Sequence, residues 1–169
     1  MHEAGKSRLL PGQSRWLWLT LLVILLDQLS KQWIVGHFEL YERLEVLPFF
    51  NLTLAYNSGA AFSLLADAGG WQRWFFTLVA LVAAVLILSW LVRLRHGERL
   101  QGAALALILS GALGNLYDRI VLGHVVDFLD FHWRNYHFPA FNIADTAITL
   151  GAALIILDML LGGRRVHQQ

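Results

Sequence analysis

Residues Trp71–Val92 read WQRWFFTLVALVAAVLILSWLV, and beyond Arg73 no ionisable side chain occurs before Arg93. At about 1.5 Å of rise per residue, a helix of about 20 such residues crosses the roughly 30 Å hydrocarbon core of a bilayer. A stretch this long and this apolar on every side has no polar face to offer water, so it predicts a membrane-spanning helix. Working outward, Trp16–Val35, Gln101–Tyr117 and Ala140–Leu161 are apolar enough to be three further spans. The fold class expected is an all-α membrane protein, a four-helix transmembrane bundle.

The whole chain agrees with its most apolar stretch. Of 169 residues, 57% are hydrophobic and 15% charged, and the net charge is +1. That balance lacks the basic field that nucleic acid requires. With no cysteine, disulfides, thiolate metal sites and a cysteine nucleophile are excluded. Lys6, Arg8 and Arg15 before an apolar run resemble the start of a secretory signal peptide, but Asp27-Gln-Leu-Ser-Lys31 follows with no small-x-small cleavage site. The first segment is therefore expected to be a retained helix.

Eight of the thirteen Lys and Arg residues fall into three groups, Lys6, Arg8 and Arg15, then Arg93, Arg95 and Arg99, then Arg164 and Arg165. Four crossings place all three groups on one side, which the positive-inside rule makes cytoplasmic. The connections His37–Gly70 and Arg119–Pro139 then face the other side. In the first, Leu44–Ala55 mixes β-branched, aromatic and alternating polar positions before breaking at Asn57-Ser58-Gly59, which predicts a small β-rich extracytoplasmic cap. No repeat is visible, and residues 1–169 are expected to form a single integral membrane domain. Gly102, Ala103, Ala104, Ala106, Ser110, Gly111, Ala112 and Gly114 crowd the third span, and small residues of this kind let helices approach closely in lipid. The third helix is predicted to be central.

Ionisable groups inside spans are costly and mark function by default. Asp27, Ser30 and Lys31 lie at i, i+3 and i+4 on the first helix, where Asp27 and Lys31 can pair as a structural anchor or serve chemistry directly. Gly111, Asn115, Asp118 and Arg119 make a second polar stripe at the end of the third. Arg119 there can satisfy the last carbonyls and Asp118 can pair with Lys31 or Arg119, or the stripe can hold a site open. In Gly123-His-Val-Val-Asp127-Phe-Leu-Asp130-Phe131, alternation puts Asp127 with Val125, Leu129 and Phe131. A carboxyl so flanked is either partly desolvated, which raises its pKa, or an ordinary surface aspartate; Asp130, on the opposite face, reads as a surface residue. Asn142 with Asp145 three residues on has the form of a capping box, against which stands the apolar setting of Phe141 and Ile143. There is no HExxH zinc motif, Gly-x-Ser-x-Gly elbow or Walker phosphate loop, so an enzyme here would work with carboxylates.

Asp27-Gln-Leu-Ser-Lys31, Asn57-Ser-Gly59-Ala-Ala-Phe62-Ser63, Gly111-Ala-Leu-Gly114-Asn115-Leu-Tyr-Asp118-Arg119, Val125-Val-Asp127-Phe128 and Phe141-Asn142-Ile-Ala144-Asp145 stand in this order. Together they resemble the bacterial signal peptidase II, or lipoprotein signal peptidase, family over nearly the whole stretch from Asp27 to Asp145. The resemblance implies an aspartic endopeptidase of the cell inner membrane that cuts diacylglyceryl-modified prolipoproteins just before the lipidated cysteine. It implies Asp127 and Asp145 as the catalytic pair, Asn57, Gly59, Asn115, Arg119 and Asn142 around the site, and Asp27, Lys31 and Asp118 as structural supports. It also implies sensitivity to cyclic peptides such as globomycin, and no metal or organic cofactor. Two adjacent carboxyls that share a proton supply both a base and an acid, which is the chemistry such a peptidase needs. The alternative is a small proton-coupled membrane transporter, with Asp27, Lys31, Asp118 and Arg119 as a relay. A relay needs groups at every depth, whereas these collect toward one face.

Overall fold

The computed structural model describes residues 14–59, 70–95, 97–134 and 136–166. Of the expected cap, residues 60–69 lie outside the described residues, as do Lys6, Arg8 and the side chains of Arg164 and Arg165. In chain order the elements are α1 (Ser14–His37), β1 (Arg43–Leu47), β2 (Phe50–Asn57), α2 (Trp71–Leu91), α3 (Arg99–Val121), β3 (Val125–Trp133), β4 (Tyr136–His137) and α4 (Ile143–Val166). Each of the four helices contains a stretch long and apolar enough to cross a membrane.

Their burial is inverted relative to a water-soluble bundle. On α1, Leu22, Leu25, Leu26 and Leu29 are exposed while Asp27 and Lys31 are buried. Lipid is as apolar as leucine, so exposed leucines cost nothing there, whereas each charge must find a protein partner. α3 is central, with α1, α2 and α4 all packed on it and Ala104, Ala106 and Ser110 fully buried. Small residues make this possible. A Cβ on Gly111 would collide with the Ala144 carbonyl and with Ile148, and one on Gly151 would lie 2.6 Å from the Ala104 carbonyl. Thr20 Oγ1 ties α1 across to α3 by donating to the Ala106 carbonyl at 3.2 Å.

Two differences at helix ends bear on the site. α3 runs on through Asp118 and Arg119 to Val121 rather than stopping at Tyr117, because Asp118 is neutralised inside the bundle and need not mark a helix end. α4 begins at Ile143 rather than Ala140; Phe141 bridges to Leu129 and Asn142 caps the helix. The strands are also not confined to the first connection. β1, β2, β3 and β4 form one antiparallel sheet in that order, so the all-α expectation is corrected to a mostly helical protein with a four-stranded sheet. The alternation that groups Asp127 with Val125, Leu129 and Phe131 is that of β3, but both faces of Val125–Phe128 are buried, so neither is a solvated face. Val126 and Phe128 pack with Ile34 and Leu54, and Val125 and Asp127 face the other way.

Candidate active site

Five elements, α1, β2, α3, β3 and α4, bring the polar residues together where α1 and α3 end and α4 begins. Asp27 and Lys31, one turn apart on α1, pair at 2.8 Å, and Lys31 also reaches Asp118 Oδ2 on α3 at 2.9 Å. The ion pair expected from the i, i+4 spacing is thus a three-residue cluster. Its Lys31 Nζ makes a further bond, 3.1 Å to Asn115 Oδ1. Asn115 passes the contact on, donating through Nδ2 to Asp145 Oδ1 at 2.8 Å.

Asn142 stands between the two candidate carboxylates. Its Oδ1 accepts the Asp145 backbone N–H at 2.9 Å, the capping-box half that the sequence predicts. Its Nδ2 donates to Asp127 Oδ1 at 2.7 Å, to the Val126 carbonyl at 3.2 Å and to Asn115 Oδ1 at 3.2 Å. Asn57, at the end of β2, donates to the other oxygen, Asp127 Oδ2, at 3.1 Å, and accepts the Gly59 N–H at 3.0 Å. Asp127 is therefore neither a loop residue nor solvated; it is 2% exposed. Burial first, then the negative charge of Asp145, push its pKa up to about 7, against the opposing effects of the Asn57 and Asn142 hydrogen bonds and the Lys31 charge.

Beside this pair opens a cleft of about 540 Å³ lined by Asn57, Asn115, Arg119 and Asp145 on its polar side and by Phe138, Phe141 and Leu150 among its apolar walls. Arg119 spans it. Its Nη1 donates to the Asn115 carbonyl and its Nη2 to the Gly59 carbonyl, each at 3.2 Å, while its buried Nε has no partner among the described residues. Arg119 thus does not reach the last carbonyls of α3, which the sequence offered it as partners. The last carbonyls of α3 are capped by Arg73 instead, which donates to Arg119 O at 2.7 Å and Ile120 O at 2.8 Å. A lone arginine inside the opening turn of an apolar helix was the available signal for Arg73, but its target lies far along the chain.

Asp130 corrects the sequence-based expectation of a surface residue. It is buried, accepts from Asn51 Nδ2 at 3.0 Å and His137 Nδ1 at 2.9 Å, and lies 3.6 Å from Arg43 Nε. Its neighbours come from both adjacent strands and from β1, so alternation within β3 could not reveal them. Burial acts to raise its pKa, but those hydrogen bonds and the charges of His137 and Arg43 outweigh it and hold the carboxyl below its ordinary value. All of Asp27, Lys31, Asn57, Gly59, Asn115, Asp118, Arg119, Asp127, Asn142 and Asp145 fall in one connected network, and Asp130 stands outside it.

Comparison with known proteins points one way. A family model described as signal peptidase (SPase) II matches residues 19–161. The lipoprotein signal peptidase of Pseudomonas aeruginosa (strain UCBPP-PA14) is 57% identical over 150 residues, 88% of this chain and 89% of that protein. That of Yersinia enterocolitica is 58% identical over 144 residues, 85% of each chain. A solved bacterial membrane enzyme, at 32% identity, superposes with a TM-score of 0.79 over 87% of this chain and 88% of its own. Nothing among these relatives supports a transporter.

Proposed function

The chain belongs to the signal peptidase II family, and from that premise we propose that it is an aspartic endopeptidase whose catalytic pair is Asp127 and Asp145. That it is a multi-pass membrane protease removing signal peptides from prolipoproteins follows from the family and the four apolar helices. The observation that carries the aspartic mechanism is a buried carboxyl, Asp127, raised to about 7 in part by the charge of Asp145 beside a mostly apolar cleft.

Asp127 holds the shared proton and Asp145, which lines the cleft, is the base. Asp145 takes a proton from water as the oxygen attacks the scissile carbonyl carbon, and Asp127 gives its proton to the carbonyl oxygen. The tetrahedral intermediate collapses with the C–N bond breaking, the proton held by Asp145 passing to the leaving amine and the hydroxyl proton returning to Asp127. Asp127 Oδ2 accepts from Asn57, which lines the cleft, at 3.1 Å, and is the oxygen through which the proton passes to the substrate. Asn142 and Asn115 hold the two carboxyls in register, and Arg119 and Gly59 border the substrate. Cleavage falls just before the diacylglyceryl-modified cysteine, and a cyclic peptide such as globomycin competes for the same cleft. The test is hydrolysis of a lipid-modified prolipoprotein by the purified chain in lipid, with the cut bond located by mass spectrometry; cleavage elsewhere, or none, would overturn the assignment.

Loss of the shared proton sets the alkaline limit. Below about pH 7 the pair retains it, and as pH rises through the Asp127 value of about 7 the acid is lost. The expected kcat/KM profile falls on its alkaline side with an apparent midpoint near 7, approaching tenfold per pH unit above it. A flat profile through pH 9 would count against Asp127 as the proton donor.

The protein lies in the bacterial inner membrane as one domain, with its termini and the Arg93–Arg99 connection cytoplasmic and the sheet on the far side. The support is the clustering of Lys and Arg described above. Single cysteines introduced at Gln13, His96 and Gln168, positions outside the described residues, are expected to resist a membrane-impermeant thiol reagent added to spheroplasts. One introduced at the exposed Tyr136 is expected to react. The reverse labelling pattern would invert the topology.

A further inference from the structure

The residues immediately preceding the two catalytic aspartates are Val126 and Ala144, and the backbone amide of each is held by a buried carboxylate that the mechanism does not use. Val126 N–H donates to Asp118 Oδ2 at 3.2 Å, and Ala144 N–H donates to Asp27 Oδ1 at 2.9 Å. Lys31 joins the two carboxylates, 2.8 Å from Asp27 Oδ2 and 2.9 Å from Asp118 Oδ2. Its remaining proton goes to Asn115 Oδ1, the asparagine that holds Asp145, so all three ammonium donors are committed. Gln28 Nε2 closes the cluster by donating to Asp27 Oδ2 at 3.1 Å and Asp118 Oδ1 at 2.9 Å. The side chains of Lys31, Asp27 and Asp118 are 1–3% exposed. Gly114 leaves the room they need, since a Cβ there would lie 2.7 Å from Asp27 Oδ2.

A buried charge cluster is a weak device for stability alone, because apolar residues of similar volume usually stabilise as well or better. What apolar residues cannot do is grip two amides from different elements and fix the distance between them. We infer that Asp27, Lys31 and Asp118 form a positioning frame that sets the separation of Asp127 and Asp145 by holding the amides of Val126 and Ala144. The inference rests on the catalytic assignment above. None of the three touches substrate; each acts through β3, α4 or Asn115. The frame explains why α1, which contributes nothing to the reaction itself, carries two buried charges.

The test uses Asp27→Asn, Asp118→Leu and Lys31→Met in the full-length protein, with kcat, KM and melting midpoint measured in one detergent and rates taken well below each midpoint. Asp27 takes the Ala144 amide on Oδ1 and the ammonium on Oδ2, so the single acceptor oxygen of Asp27→Asn loses one of them. Asp118 takes both the Val126 amide and the ammonium on Oδ2, so Asp118→Leu, with no acceptor, loses both, and in each variant one carboxylate remains to balance Lys31. The expected result is kcat lower by about 30- to 100-fold with KM within about threefold, the size that small misplacements of reacting groups produce. Lys31→Met has a second readout that a merely structural role would not move. The charged groups near Asp127 are Asp145 of α4, Lys31 of α1 and Arg119 of α3. Removing the Lys31 charge, which favours the ionised carboxyl, is expected to shift the alkaline limb of kcat/KM upward by about half a pH unit or more. Wild-type kcat in the correctly folded Asp variants, with an unmoved limb in Lys31→Met, overturns the frame while leaving the catalytic pair standing. If Asp127→Asn or Asp145→Asn itself retains turnover, the catalytic assignment falls and the frame with it.

Discussion

Replacing Asp127 or Asp145 with asparagine is expected to slow prolipoprotein cleavage by at least about a thousandfold, the scale of removing a group that acts in the transition state. Asparagine keeps the shape of aspartate but neither takes a proton from water nor returns one to the leaving amine. The environment separates chemistry from folding. Asp145 sits three residues after the capping Asn142 and accepts from Asn115 through one oxygen, contacts that an amide oxygen can keep, so Asp145→Asn should melt near the wild-type midpoint. Asp127 accepts from Asn142 on one oxygen and Asn57 on the other; an amide there turns an N–H toward one of them and loses about 1 kcal/mol. A slightly lower midpoint is therefore expected for Asp127→Asn than for Asp145→Asn, with both equally inactive. The measurement is cleavage of a diacylglyceryl-modified prolipoprotein beside thermal melting of each purified variant. Because asparagine caps a helix about as well as aspartate, substantial turnover by Asp145→Asn would reduce that residue to a cap.

A single methyl group at Gly111 is expected to cost nearly as much. The Cβ of Gly111→Ala would overlap the Ala144 carbonyl and press on Ile148, so α3 and α4 must separate. Overpacking of this kind costs about 1–3 kcal/mol, or roughly 5 °C in midpoint for a chain of this length. Activity should fall further than stability, by about a hundredfold, since Ala144 precedes Asp145 and a displacement of order 1 Å is enough to misalign reacting groups. Gly36→Ala is the control. No atom lies within 4 Å of a Cβ built there, and alanine is the better helix former, so midpoint and rate should hold or rise slightly. Equal behaviour of the two variants would show that the close approach at Gly111 is not what sets the start of α4.

The parts legible in the sequence were those carried by local periodicity. The four spans followed from hydropathy, the central place of α3 from its small residues, the Asp27–Lys31 pair from a one-turn spacing and the cap at Asn142 from a three-residue one. What was not legible depends on residues far apart in the chain. Asp130 looked exposed because its partners, Asn51 and His137, belong to the strands on either side. The role of Arg73 was not read at all, because the carbonyls it caps come at the end of α3. α3 runs past Tyr117 because Lys31 of α1 neutralises Asp118, a pairing the sequence offers beside Arg119 without choosing between them. The proposed catalytic pair stood open between function and surface on periodicity alone, and the resemblance is what singles it out; desolvation of Asp127 requires packing from elements that no single window contains.

The order in which the chain is made gives the network a further meaning. Asp127 is synthesised before Asn142 and Asp145, and both of its neighbours on the far side of the pair arrive with α4, whose first turn then docks onto Asp27 through the Ala144 amide. Until α4 inserts, the nascent protein holds only one carboxyl of the proposed pair, Asp127. On the proposed assignment, activity therefore waits on the docking of α4 against α1 and α3.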